Sequence, residues 1–238
     1  MTFPPSSTPG ETTMAHEHEK EAAARASLQF IQDGQVVGLG SGSTAAYFIK
    51  LLAEKVKNGL RIRGIPTSVE SHDLALSLDI PLTTLDECQE IDVAVDGADE
   101  VDPKLRLIKG GGGAMLREKI VESAAKRLVI IADASKQVQT LGKFPLPVEV
   151  IRFAQALVMK RISALGAEVR LRTRADGQPF VTDEHNHILD CHFGAIRDAE
   201  GLAQQLSEMP GVVEHGLFIG MANVALFACG SEIVELRR

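Results

Sequence analysis

Cysteine is scarce in this chain. Cys88, Cys191 and Cys229 are odd in number, far apart and never spaced C-x-x-C, which argues against a zinc site or a redox pair and fits a reducing compartment. Long apolar runs are missing as well. The most apolar stretch, "GLFIGMANVALFACG" from Gly216, is interrupted by Asn223 and too short to span a bilayer, so it reads as core strands. Positive charge is in deficit: 25 Lys and Arg against 32 Asp and Glu leave a net charge of −7. That balance excludes a broad nucleic-acid or anionic-membrane surface, and a phosphate-bearing partner must be met locally. The first fifteen or so residues, rich in Pro, Ser and Thr, lack the apolar stretch of a signal peptide. Their composition predicts a disordered tail over residues 1–18.

What is present is the composition of a globular protein, with 45% apolar and 24% charged residues in 238 positions. That length holds one large domain, or one domain with a smaller companion. From Glu19 an alanine-rich helix runs to Gly34, followed by a buried strand "VVGLG" and a helix "STAAYFIKLLAEKVKNG", with Ser43 or Thr44 near its start and Gly59 after its end. The alternation continues through "IRGIPTS", "VESHDLALSLD", "IDVAVDGAD", "AMLREKIVESAAK" and "RLVIIAD". Continuously apolar strands separated by helices predict an α/β fold, a Rossmann-like parallel sheet covered by helices on both faces. Ligands of such sheets bind at the carboxyl ends of the strands.

Around "GKFPLPVEV" the pattern changes. Helix, strand, hairpin, helix and strand follow, the order of a smaller ferredoxin-like α+β domain over 147–215. "ANVALFACG" is expected to rejoin the first sheet, so 19–146 and 216–238 together form the larger domain. No internal repeat or coiled-coil heptad is evident.

Four loops at strand ends carry residues with chemistry. "GLGSGSTA" turns from strand to helix but meets neither the dinucleotide nor the P-loop fingerprint, because Ser43 stands where a third glycine is needed and no G-K-[ST] follows. Its amides, with the hydroxyls of Ser41, Ser43 and Thr44 around Gly42, can face an anion at a helix N-terminus, or the loop is simply a tight turn with Ser43 as N-cap. In "VDGADEVDP", Asp96 and Asp99 flank Gly97 and Ala98. Carboxylates there can bind sugar hydroxyls, move protons or hold Mg²⁺, and the same residues also make an ordinary acidic turn. "IKGGGGAMLREK" places Lys109 before Gly110, Gly111 and Gly112, with Glu118 in the first turn of the next helix. The wheel puts Leu116, Ile120, Val121 and Ala124 on one side and leaves Glu118 on the polar side. A glutamate there faces a cleft or merely complements the helix dipole. "ADASK" brings Lys136 to the same sheet edge. The histidines suggest no metal.

Taken together, "GLGSGSTA", "VDGADEVD", "LIKGGGGAMLREKI", "IADASKQV", "LGKFPLPVEV", "VTDEHNHILD" and "PGVVEHGLF" resemble the ribose-5-phosphate isomerase type A family, in the family's order and over nearly all the chain after the tail. The resemblance implies cofactor-free, reversible conversion of D-ribose 5-phosphate to D-ribulose 5-phosphate in the cytoplasm, by a homodimer or larger homo-oligomer. It makes Glu118 the general base and assigns substrate contacts to Ser41–Thr44, Asp96–Asp99, Lys109–Gly112 and Lys136, with Lys20 as a further phosphate contact. Ser41 stands where many members have Thr, which keeps the hydroxyl. A non-catalytic sugar-phosphate sensor lacks room for a DNA-binding module before the first strand, and a nucleotide-dependent oxidoreductase lacks the fingerprint.

Overall fold

The computed structural model describes residues 9–230 and 232–238. The chain is already helical in α1 (Pro9–Ser27). Of the tail expected over 1–18, the first eight positions lie outside the described residues, and from Pro9 a helix replaces it. Proline suits a first helical position, where its missing N–H costs nothing, and the alanine-rich sequence that follows favours helix. Ala23 and Ala24, both fully buried, let α1 lie close against the larger sheet.

The alternating elements then follow: β1 (Val36–Leu39), α2 (Gly42–Lys57), β2 (Arg63–Pro66), α3 (Val69–Ser77) and β3 (Val93–Asp96). Two short strands, β4 (Glu100–Val101) and β5 (Leu107–Ile108), precede α4 (Met115–Ser123) and β6 (Leu128–Asp133). The second part comprises β7 (Leu146–Val150), α5 (Gln155–Ala164), β8 (Glu168–Leu171), β9 (His187–His192), α6 (Ala199–Ser207) and β10 (Val212–His215). The chain closes with β11 (Leu217–Phe218), β12 (Val224–Cys229) and β13 (Glu232–Arg237).

The larger sheet has the order β13-β12-β6-β3-β1-β2 and is parallel except for β13, which pairs antiparallel with β12. β12 therefore rejoins the first sheet as expected, and β13 is an addition. Glu232, Glu235 and Arg237 place charge along this edge, which discourages further pairing. Because β2 lies on one side of β1 and β3 on the other, the order reverses at β1 and β3, which opens a crevice beyond their carboxyl ends.

The smaller sheet, β10-β7-β9-β8, is antiparallel throughout and holds its own core around Leu146, Val148, Val158, Leu189 and Leu206. Strand, helix, two strands, helix and strand, in the spatial order fourth, first, third, second, is the ferredoxin-like arrangement. "GVVEHGLF" is not one strand. It divides at Gly216, with β10 in the smaller sheet and β11 joining β5 and β4 in a third. A side chain at Gly216 could not fit, since a Cβ would fall 2.3 Å from the Lys109 carbonyl oxygen. Gly216 receives the Lys109 amide at 2.9 Å and donates its own to Pro147 at 2.8 Å, so it joins the smaller sheet to the strand that presents Lys109.

Candidate active site

Beyond β1 and β3 the loops after β1, β3, β5 and β6 enclose a cleft of about 750 Å³. Of the residues expected there, Lys20, Ser41–Thr44, Gly97–Asp99, Lys109–Gly112, Glu118 and Lys136 all line it. Asp96 departs from that expectation. It is 1% exposed beneath the floor, and its Oδ1 accepts the amides of Ser41 at 3.0 Å and Gly97 at 2.6 Å. It thus ties the ends of β1 and β3 together rather than presenting an oxygen to a sugar. The chain passes this close because position 40 is glycine: a Cβ there would lie 2.3 Å from Asp96 Cγ.

Ser41, not Ser43, occupies the N-cap of α2. Its hydroxyl turns sideways to the hydroxyls of Thr67 and Ser68, each at 2.7 Å. Gly42 and Ser43 are exposed and Thr44 half-buried, so the first turn of α2 offers its unpaired amides to the cleft.

The centre is a buried charge cluster. Lys109, 2% exposed, donates from Nζ to the Gly97 carbonyl at 2.7 Å. The same nitrogen lies 3.0 Å from Asp96 Oδ2, 3.2 Å from Glu122 Oε1 and 3.4 Å from Glu118 Oε2, with the Phe218 ring 5.4 Å away. Burial works against the lysine's charge, yet Asp96, Glu118 and Glu122 together hold its pKa well above the ordinary value. Burial also raises the Glu118 carboxyl to about 7; Lys109 pulls it down, while Asp96 and Asp99 push it up.

The helical wheel of α4 needs correction. Glu118 and Glu122 are buried and Ile120 is 46% exposed, because this face packs around an ammonium group as well as apolar side chains. Glu122 was not anticipated at all. Its spacing of four from Glu118, which shares a helix face, was the signal to be read.

Asp99 accepts the Gly111 amide at 2.8 Å, and burial raises its pKa against the pull of that amide, Lys109, Lys136 and Arg172. The Gly111 amide is therefore engaged within the protein. Arg172, just after β8, takes hold of the loop's other side. Its Nη1 donates to the carbonyls of Gly110 at 2.8 Å and Gly111 at 3.0 Å, while Nε donates to Asp190 at 3.0 Å. Phe180 fills the space beside Gly113 and, with Asp183, completes the cleft wall. Sequence carried no signal for these contacts across some sixty positions.

At the far end of the cleft Lys20 donates to Glu17 at 2.6 Å, and Glu17 also accepts from Tyr47 at 2.8 Å. Lys136 ends the turn Ala134–Lys136 after β6. His16, Glu19 and Asp133 bring possible ligand atoms within 4.8 Å of one another, but Asp133 accepts the Ser135 amide at 3.0 Å and Glu19 that of Gly230 at 2.9 Å.

Residues 63–232 match the family model described as ribose 5-phosphate isomerase A (phosphoriboisomerase A). A ribose-5-phosphate isomerase A of Parvibaculum lavamentivorans is 53% identical, over 93% of this chain and 100% of that protein. Among solved structures, a D-ribose-5-phosphate isomerase in complex with phospho-erythronic acid superposes with a TM-score of 0.91 at 43% identity, covering 94% of this chain and 99% of the other. The ribose 5-phosphate isomerase A of Methanocaldococcus jannaschii gives 0.89 at 41% identity, over 93% and 99%. With nearly the full length of both chains in common, this protein belongs to the ribose 5-phosphate isomerase A family.

Proposed function

We propose that the protein interconverts D-ribose 5-phosphate and D-ribulose 5-phosphate by proton transfer through an enediolate, with Glu118 as the base. The observation that carries this is the Glu118 carboxyl, raised to about 7 beside a buried ammonium at the wall of a cleft of about 750 Å³. A base with a pKa near ambient pH is both ionised enough to accept a proton and basic enough to draw one. In the open-chain aldose, Glu118 takes the hydrogen from carbon 2, and the electron pair forms the C1–C2 double bond while the carbonyl π electrons move to O1. The hydroxyl proton then passes from O2 to O1, and return of the proton from Glu118 to carbon 1, as the electrons on O2 form the new carbonyl, yields the ketose. Lys109 stands where the developing oxyanion needs a preorganised positive charge. Asp99, its carboxyl at the cleft wall, is suited to exchange the hydroxyl proton. The first turn of α2 with Ser43 and Thr44, together with Lys20 and Lys136, forms the phosphate end. No cofactor enters the scheme. A relative's complex with phospho-erythronic acid supports a sugar-phosphate ligand.

Purified protein given ribose 5-phosphate in the presence of EDTA should form ribulose 5-phosphate; well-folded protein that forms none would end this reading. In the same assay kcat/KM should fall in inverse proportion to proton concentration below about pH 7, as Glu118 becomes protonated. A profile flat to pH 5 would remove Glu118 as base.

Residues 19–146 with 216–238 would serve as the catalytic unit and 147–215 as the smaller one. The working form in this reading is a cytoplasmic homodimer or larger homo-oligomer. No helix among the described residues is long and apolar enough to cross a membrane. Phe153, 99% exposed beside exposed Ile151 and Leu157, supplies an apolar patch of the kind that pairs with another surface. Light scattering should return a multiple of 25.6 kDa, and a single-chain mass would count against assembly.

A further inference from the structure

Glu122 lies one helical turn beyond Glu118, and the scheme above gives it no part. Its side chain is fully buried and its Oε1 is 3.2 Å from Lys109 Nζ. If every carboxyl is ionised, both Glu122 oxygens, Glu118 Oε2 and Asp96 Oδ2 are left without a hydrogen-bond donor. Buried polar atoms are seldom left so, and four here share one spot. The charges do not balance either. One ammonium faces the three carboxylates of Asp96, Glu118 and Glu122. The next cation along α4, Lys119, is occupied by Glu214 at 2.7 Å and by the carbonyls of His215 and Leu217.

A single proton on one of these carboxyls lessens both deficits, adding a donor to the cluster and leaving two carboxylates around the ammonium instead of three. We propose that Glu122 is a positioning residue that stays protonated in the working enzyme and donates its hydrogen bond to Asp96 Oδ2. Asp96 is then held from both sides, by the amides of Ser41 and Gly97 at one oxygen and by Glu122 and Lys109 at the other. Lys109, facing one fewer negative charge, is shared by Asp96, Glu118 and the charge arising on the substrate. Glu122 Oε1 and Asp96 Oδ2 converge on the same Lys109 Nζ, at 3.2 and 3.0 Å, and burial first, with Asp96 and Glu118 adding to it, holds the Glu122 pKa well above the ordinary glutamate value despite Lys109. A carboxylic acid kept neutral by its surroundings so that it can donate is known chemistry in isomerase sites.

The kinetic test rests on Glu118 being the base; the spectroscopic one does not, so the two readings fail separately. In E122Q the amide supplies the same donor and acceptor as a neutral acid. Turnover should stay within a few-fold of the parent, and the acid limb of kcat/KM should not move. If Glu122 is instead ionised, E122Q deletes a negative charge beside Glu118, and a limb displaced by about one unit to lower pH would overturn the proposal. Glu122→Met, which has no donor, should lower kcat by about tenfold with little change in KM; a variant as active as E122Q would show that the donor is not needed. Infrared spectra at pH 8 should contain a deuterium-sensitive carbonyl band of a protonated carboxyl that is missing from E122Q. A parent spectrum without that band, or a band that survives in E122Q, overturns the proposal whatever the kinetics show.

Discussion

Glu118→Gln is expected to lower kcat by a factor on the order of 10²–10⁴ while KM changes only a few-fold. The amide keeps the size of the carboxyl, and the cleft's phosphate end lies elsewhere, so binding should persist while the proton acceptor is gone. The same substitution should stabilise the protein at pH 8. A carboxyl raised to about 7 when folded, from an ordinary value of 4.5, binds more protons in the native chain than in the unfolded one between those values. Native stability therefore falls as pH rises from about 4.5 to 7. Above that window the cost reaches about 3 kcal/mol, and removing the charge recovers at most that amount. Urea unfolding at pH 8 and pH 4 checks the sign: the variant should gain only at the higher pH. A variant with normal turnover, or one stabilised equally at both, would contradict the role given to this carboxyl.

Lys109→Met is expected to be the most damaging single change to the fold, costing about 3–5 kcal/mol at pH 8 and abolishing measurable turnover. The lysine is the cation shared by Asp96, Glu118 and Glu122, all of them buried. Without it Asp96 and Glu118 keep their charge only against full desolvation, and the Glu118 carboxyl, already raised by burial, loses the cation that pulls it down. Such groups weaken the native state as pH rises, so the variant should recover stability at pH 5, where protons replace the ammonium. Parent-like stability at pH 8 in a denaturant titration would show that the cluster is not organised around Lys109.

Much of this was legible beforehand because local chemistry was enough. "VVGLG", "IDVAVDGAD" and "RLVIIAD" are apolar without alternation, which only a sheet covered on both faces explains, and placing the loops at their carboxyl ends assembled the cleft. What escaped depended on partners distant in sequence. Asp96 looked like a ligand for sugar, yet the close approach at Gly40 commits it to backbone amides. The wheel of α4 treated apolar as buried, a rule that fails where a helix wraps a lysine, and so hid Glu122 and misplaced Ile120. The helix of α1 begins before its alanine-rich core because an early proline can open a helix as well as mark a tail.

Arg172 contributes no side chain to the cleft wall, yet it clamps two carbonyls of the glycine loop and is itself braced by Asp190. Every residue expected in the site precedes position 137. A chain engineered to omit 147–215 would retain that whole inventory and lose the fixture that keeps Gly110 and Gly111 in place. Trimming this protein to its visible chemistry would thus yield a complete list of parts with no frame to hold one of them.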